Sequence, residues 1–207
     1  MKYSFIFIFL LIALASCKDS PNAKPTTGTE AAVPDTNPEE VVKSEISYQE
    51  KGMEYAMATQ AALGKALQNK IQEEGIQEAI GFCQVEALPI TDSLSTKFGV
   101  EINRITDKPR NPVNAASAEE MKFITKINSE LGTRQPPDAL VVRQGDDTNF
   151  YYPILTNTMC LKCHGSTKDD IQPRVLEAIA EFYPQDEATG YGNNQFRGLW
   201  KVSFKGE

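Results

Sequence analysis

Apolar residues follow three different rhythms along this chain. An unbroken run fills residues 5–15, helical spacing dominates from about 38 to 98, and alternation comes only at the end. Asn37 supplies a cap, Pro38 a first-turn proline, and Glu39 and Glu40 acidic side chains at the positive end of a helix dipole, so a long helix starts there. Val42, Ile46, Met53, Met57 and Leu67 lie along one face of it, and Gly75 is its stop. In a second helix, Ile76, Ala79, Ile80, Cys83 and Ala87 stand at i, i+3, i+4, i+7 and i+11, which puts Cys83 on the buried face. Pro89 is expected to interrupt this helix and Gly99 to end its continuation.

Residues 100–105 read as a short strand and 107–112 as a proline-punctuated loop. Ser117-Ala118-Glu119-Glu120 has capping-box form and opens a helix with Met121, Ile124, Ile127 and Leu131 inward, closed by Gly132. Residues 139–143 and 150–155 flank Gln144-Gly145-Asp146-Asp147 as a hairpin, and 175–182 form a short helix. Trp200, Val202 and Phe204 alternate with Lys201, Ser203 and Lys205 as a half-buried strand. Helices first and antiparallel strands later predict an α+β domain rather than a doubly wound one, with no internal repeat.

The first apolar run, about a dozen residues, falls short of the roughly 20 that span a bilayer and reads as a secretory signal. Its end, Leu14-Ala15-Ser16-Cys17, resembles the lipobox of bacterial lipoproteins, in which cleavage before the cysteine leaves that cysteine lipid-bearing. Residues 1–16 are thus expected to be a signal peptide, with Cys17 the lipidation site. Lys18, rather than Asp, follows the cysteine and resembles signals released to the outer membrane, the inner membrane being the alternative. Residues 17–38 hold Pro21, Pro25, Pro34 and Pro38 and no large apolar residue beyond Val33, so they cannot bury a core and are read as a disordered tether. Such a tether spans roughly 25 Å. The folded domain is then 39–207.

Composition narrows the chemistry. A net charge of −7 and a pI near 4.9 argue against a nucleic-acid partner, which needs clustered Lys and Arg, and suit a protein partner with a basic face. The chain has four cysteines and one histidine, too few for a bis-histidine haem, a two-histidine zinc hydrolase or a dense disulfide framework.

Cys160-Leu161-Lys162-Cys163-His164 is the C-x-x-C-H signature of covalent c-type haem attachment. Two thiols must reach the vinyl groups on one porphyrin edge, and the next residue must set an imidazole on the iron. A thioredoxin-like dithiol lacks its βαβ context, adjacent residues 163 and 164 fit poorly as joint zinc ligands, and a Cys160–Cys163 disulfide leaves the histidine without a role. With His164 as proximal ligand, the distal position falls to a thiolate, a thioether, another weak ligand, or stays open. Met53, Met57, Met121 and Met159 qualify by residue type, Met159 being poorly placed beside the attachment motif; Cys83 is the more economical choice. A small buried apolar residue is its other reading. Arg110 and Asn111 would neutralise or hydrogen-bond haem propionates, or else be a surface arginine and a turn asparagine. Tyr183, Tyr191 and Arg197 wall a pocket or belong to the core.

Ala79-Ile80 with Cys83 and Ala87, Arg104, Arg110-Asn111-Pro112 with Asn114, the C-x-x-C-H-Gly165 run, residues 183–191 and Arg197-Gly198 together resemble the extracytoplasmic c-type haem domains of PAS-like fold. This family includes free-standing monohaem proteins and sensor modules. The resemblance covers most of residues 45–207. It implies a five-stranded antiparallel sheet flanked by helices, one haem in the pocket, and Cys83 as a distal thiolate opposite His164. Where the family often carries an acidic residue before Arg-Gly, this chain reads Asn193-Asn194-Gln195-Phe196.

The resulting expectation is a lipid-anchored periplasmic monohaem cytochrome that transfers one electron to a redox partner. Its alternative is a haem-based redox or gas sensor acting through a separate partner. A peroxidase or nitrite reductase ranks last, because the single histidine leaves none for distal acid-base work.

Overall fold

The computed structural model describes residues 38–131 and 138–206. Residues 1–37, which hold the expected signal peptide, Cys17, Asn37 and all of the expected tether but Pro38, lie outside the described residues, as do Gly132 and the side chains of Val42 and Ile46.

Helix α1 (Pro38–Glu74) ends where Gly75 adopts φ 101°, a conformation open to glycine, and α2 (Ile76–Phe98) begins at the next residue. The two helices pack against each other. Contrary to expectation, α2 runs through Pro89 without a break. The hydrogen bond that proline removes would end on the carbonyl of Val85, whose residue is 63% exposed, so water can replace it. Thr91 Oγ1 donates back to Ala87 O, four residues before it, at 2.9 Å. Gly99 ends the helix in the left-handed region at φ 68°, with Val100 N donating to Ser95 O.

Strand β1 (Glu101–Ile105) leads through a 3-10 turn (Pro112–Asn114) to α3 (Ala118–Glu130). The remaining elements are β2 (Leu140–Gln144), β3 (Asp147–Leu155), α4 (Leu161–His164), α5 (Pro173–Phe182) and β4 (Phe196–Phe204). The sheet has the order β1-β4-β3-β2 and every pairing is antiparallel, completing an α+β architecture with its long helices at the N-terminal end. Among the described residues it has four strands, not five. The stretch after β1 contains Pro109 and Pro112 and holds only one isolated bridge, Thr106 to Ala115.

Both faces of the sheet are covered. Ala56 of α1 and partly buried Leu94 and Phe98 of α2 pack on Ile102, Phe150, Trp200 and Val202. Ile124 and Ile127 of α3 pack on Ile105, Tyr151, Phe196 and Leu199 of the opposite face. The alternation in β4 is therefore not an inside-outside pattern. Lys201 is half-buried under α3, where its Nζ donates to Glu120 Oε1 at 2.8 Å, and Ser203 is buried with its hydroxyl 2.6 Å from Asn149 Oδ1. The capping box forms as read, with Ser117 N donating to Glu120 Oε2 and Glu120 N to Ser117 Oγ. Burial pushes the Glu120 carboxyl up, but the hydrogen bonds from Lys201 and Ser117 win and hold it below its usual range. Met121, expected inward, is 37% exposed because the inward stripe of α3 runs through Ile124 and Ile127.

Tyr151 is fully buried among apolar side chains and its hydroxyl has no hydrogen-bond partner; burial pushes its ionisation up to about 12. An unpaired buried hydroxyl costs stability that a phenyl ring does not. Tyr151→Phe is therefore expected to stabilise the domain by about 1 kcal/mol, read from urea unfolding midpoints. A loss of stability would show that the hydroxyl has a partner.

Candidate functional site

The C-x-x-C-H segment folds into a single helical turn. Asn157 Oδ1 accepts from Met159 N at 2.9 Å and Cys160 N at 3.2 Å, and Cys160 O then accepts from Cys163 N and His164 N at 3.1 and 2.9 Å. Residues at i, i+3 and i+4 share one side of a helix, so this turn directs both thiols and the imidazole the same way. Gly165 follows because a Cβ there would lie 2.6 Å from Leu161 O and from Asp170, whose carboxylate accepts from Ser166 N.

These side chains line a cavity of about 660 Å³, roofed by α1 and α2 and floored by β1, the end of β3 and α4. Cys83, Cys160, Cys163, His164, Arg110, Asn111, Tyr183 and Arg197 all border it, as do Met57 and Met159. Met53 belongs instead to the core beneath α1, and Met121 lies on the exposed side of α3. Tyr191 does not line the cavity; it stands behind His164 with its ring edge-on, centroids 6.3 Å apart. Tyr183 serves in both places, since it borders the cavity and packs with Ile80 and Ile179 in the core under α5.

His164 Nδ1 lies 2.7 Å from Ala188 O. A carbonyl oxygen only accepts, so Nδ1 carries the hydrogen and Nε2 keeps its lone pair. Burial, then the cations Arg110, Arg197 and Arg104, hold the imidazole well below its ordinary range against the hydrogen bond to Ala188, so it is neutral.

Cys83, Cys160 and Cys163 are free thiols. Burial pushes the Cys163 thiol up to about 11. It also pushes Cys83 up, opposed by the charges of Arg104 and Arg110. No three of the His, Cys, Asp and Glu side chains among the described residues stand close enough to hold a metal ion directly.

Arg110 is neither a surface residue nor a free guanidinium. Its Nε and Nη2 donate to the two carboxylate oxygens of Asp186 at 2.9 and 3.1 Å, and Nη2 also donates to Cys163 O at 2.7 Å. These bonds occupy Nε and Nη2, while the residue borders the cavity where the propionate contact is expected. Asn111 Oδ1 caps the 3-10 turn by accepting from Val113 N at 3.2 Å, the turn role foreseen as its alternative. Arg197 donates through Nη1 to Thr106 Oγ1 and Lys108 O and lies 5.5 Å from the Tyr191 ring centroid.

Arg104 is a residue to which the sequence pattern assigns no role of its own. It lines the cavity from β1 on the same face as buried Ile102, two residues before it, and its guanidinium carbon is 6.0 Å from the Trp200 ring centroid. Burial lowers its affinity for a proton, opposed by Cys83 and Tyr183. The available signal was an arginine in inward register on a strand, where a cation needs a partner.

Two comparisons place this arrangement. The crystal structure of the cyanobacterial heme-protein Tll0287 superposes with a TM-score of 0.51 at 20% identity, covering 82% of this chain and 97% of that one, so the fold is shared. No curated protein matches the sequence. The model of the Tll0287-like family matches residues 39–205, and by that span the chain belongs to the Tll0287-like family.

Proposed function

We propose that this chain is a monohaem c-type cytochrome of PAS-like fold that carries single electrons outside the cytoplasm. The observation that carries this reading is the helical turn that brings Cys160, Cys163 and a neutral His164 with a free Nε2 to one cavity wall. The similar cyanobacterial protein is a heme-protein, and a cavity of about 660 Å³ lies within the range for cofactor-sized ligands.

Cys160 and Cys163 would hold the haem covalently, each thiol adding across a vinyl group as a thioether, and His164 would offer Nε2 to the iron. Cys83, from α2, would supply a second ligand to the iron, with Met57 the other cavity-lining candidate apart from the attachment motif. Arg104, which borders the cavity, joins Arg110 and Asn111 as a candidate to meet an anionic substituent. When bound, haem supplies a one-electron ferric–ferrous couple; an anionic thiolate favours the ferric state and a low potential. Lipid on Cys17 and the 17–38 tether would hold the domain near the outer or inner membrane, facing a redox partner with a basic face.

The test is an optical and electron paramagnetic resonance spectrum of the ferric protein beside Cys83→Ala. The parent should show haem that survives denaturation, and the variant a changed axial signature. Absence of covalent haem would end the cytochrome reading, and identical spectra would end only the assignment of Cys83. In the same cells, Cys17→Ser should move the protein from the membrane to the soluble fraction; persistence on the membrane would remove the lipid anchor.

A second reading is a sensor of redox state or small ligands: Cys83 borders the cavity as a half-buried free thiol, and a ligand that leaves the iron would open that position. A reduced-state spectrum unchanged by carbon monoxide or nitric oxide would count against it.

A further inference from the structure

We infer that Arg110 and Asp186 form a positioning pair that fixes the imidazole of His164 through the backbone of Ala188. The inference rests on the reading of His164 as an axial ligand, and it gives Arg110 a role beside any propionate contact.

The geometry is a closed chain of hydrogen bonds. Asp186 Oδ1 accepts from Arg110 Nε at 2.9 Å and from Ala188 N at 3.0 Å, while Ala188 O accepts from His164 Nδ1 at 2.7 Å. Ala188 is thus held at both polar atoms, one by the carboxylate and the other by the imidazole, and it is fully buried. Arg110 Nη2 reaches the same assembly from the other side, donating to Cys163 O at 2.7 Å and approaching Ala188 O at 3.4 Å.

Neighbouring contacts leave the loop little freedom to drift. Glu187 N donates to Pro109 O, Gly190 N to Gly165 O, and Tyr191 N to His164 O, at 3.0, 2.8 and 2.9 Å. The backbone carbonyls of His164 and Gly165 are therefore tied to the same 183–191 segment whose Ala188 carbonyl receives the ring hydrogen. The ion pair at the centre is buried, with side chains 11% and 8% exposed. A buried pair of that kind contributes more to fixing geometry than to net stability, and its geometry converges on the ring of His164. A partner of a ligating histidine typically alters metal affinity 10- to 100-fold when removed.

The prediction separates positioning from charge. Removing Asp186 or Arg110 has opposite electrostatic consequences: Asp186→Asn alone would raise the iron potential and Arg110→Gln alone would lower it. If instead both residues act through Ala188, both variants weaken the same Nδ1–H bond. The iron–imidazole stretching band of the reduced protein, recorded after photolysis of its carbon monoxide adduct, should then move to lower frequency in both. Arg110→Lys, which keeps the charge and loses the fork, should not restore it.

Bands unchanged in both variants, with potentials shifted in opposite directions, would overturn the inference. If a variant fails to fold, the parent still decides: a His164 Nδ1 proton resonance that persists against exchange supports the chain of bonds, and one lost at once to solvent overturns it. A parent protein without haem would instead overturn the cytochrome reading on which the inference rests.

Discussion

Replacing Cys160 and Cys163 together by alanine is expected to leave a folded domain from which all haem is lost on unfolding, whereas the parent keeps its haem under the same treatment. The fold should survive because the turn around α4 is held by backbone hydrogen bonds and by the Asn157 side chain, none of which needs a thiol. Cys160 contributes one weak contact, from Sγ to Asn157 Oδ1 at 3.3 Å, and half-buried Cys163 packs at the edge of the core under α5. Trimming two such sulfurs costs on the order of 1 kcal/mol each. His164 keeps its bond to Ala188, so some non-covalent haem binding should persist in the native variant. The single variants should each retain one thioether. Intact mass under denaturing conditions, beside the absorption spectrum of the native protein, reads both properties. A parent with the mass of bare polypeptide would reject covalent attachment, and a double variant that still carries haem after unfolding would reject these two cysteines as its anchors.

Why this much chemistry was legible in the sequence, and the rest was not, follows from the distance over which each feature is decided. Cys160, Cys163 and His164 meet within one helical turn, so spacing alone carries their geometry. Cys83 reached the cavity for the same reason, because the period that buries Ala79, Ile80 and Ala87 carries residue 83 along. The Arg110–Asp186 pair lies 76 residues apart in sequence, and no local pattern distinguishes an arginine bound to a distant carboxylate from one free to meet a ligand. Pro89 misled because the local rule against proline is outweighed where the freed carbonyl meets solvent and the rest of the helix is packed. Lys201 and Ser203 gave β4 an apparently polar face that α3 in fact covers, since Glu120 reaches Lys201 from 81 residues away.

Gly52 is the position where one added methyl is expected to do most damage to the fold. It begins a seam of small residues, Gly52, Ala56 and Thr59 at i, i+4 and i+7, along which α1 approaches the sheet; Ala56 and Thr59 are fully buried. A Cβ at residue 52 would lie 2.3, 2.6 and 2.7 Å from Cγ, Cδ1 and Cβ of Phe150. Rotating the ring relieves only the Cδ1 contact, because Cβ and Cγ lie on the rotation axis. Phe150 cannot retreat, being fully buried and held in β3 between Val141 and Val202. The helix must therefore lift, which opens the core around Trp200 and shifts Met57, on the cavity wall little more than one turn onward. Alanine favours a helix over glycine by about 1 kcal/mol, but overpacking of this kind costs roughly 1–3 kcal/mol and more when the neighbour is rigid, so Gly52→Ala should destabilise on balance and Gly52→Val more so. Gly64 provides the control of opposite sign. No atom lies within 4 Å of its added methyl, so in the apoprotein, with no haem in the cavity that Gly64 borders, Gly64→Ala should gain about the helix-propensity term. Urea unfolding midpoints of the two alanine variants should move in opposite directions. A Gly52→Ala midpoint at or above the parent's would mean that α1 does not approach the sheet as closely as this seam requires.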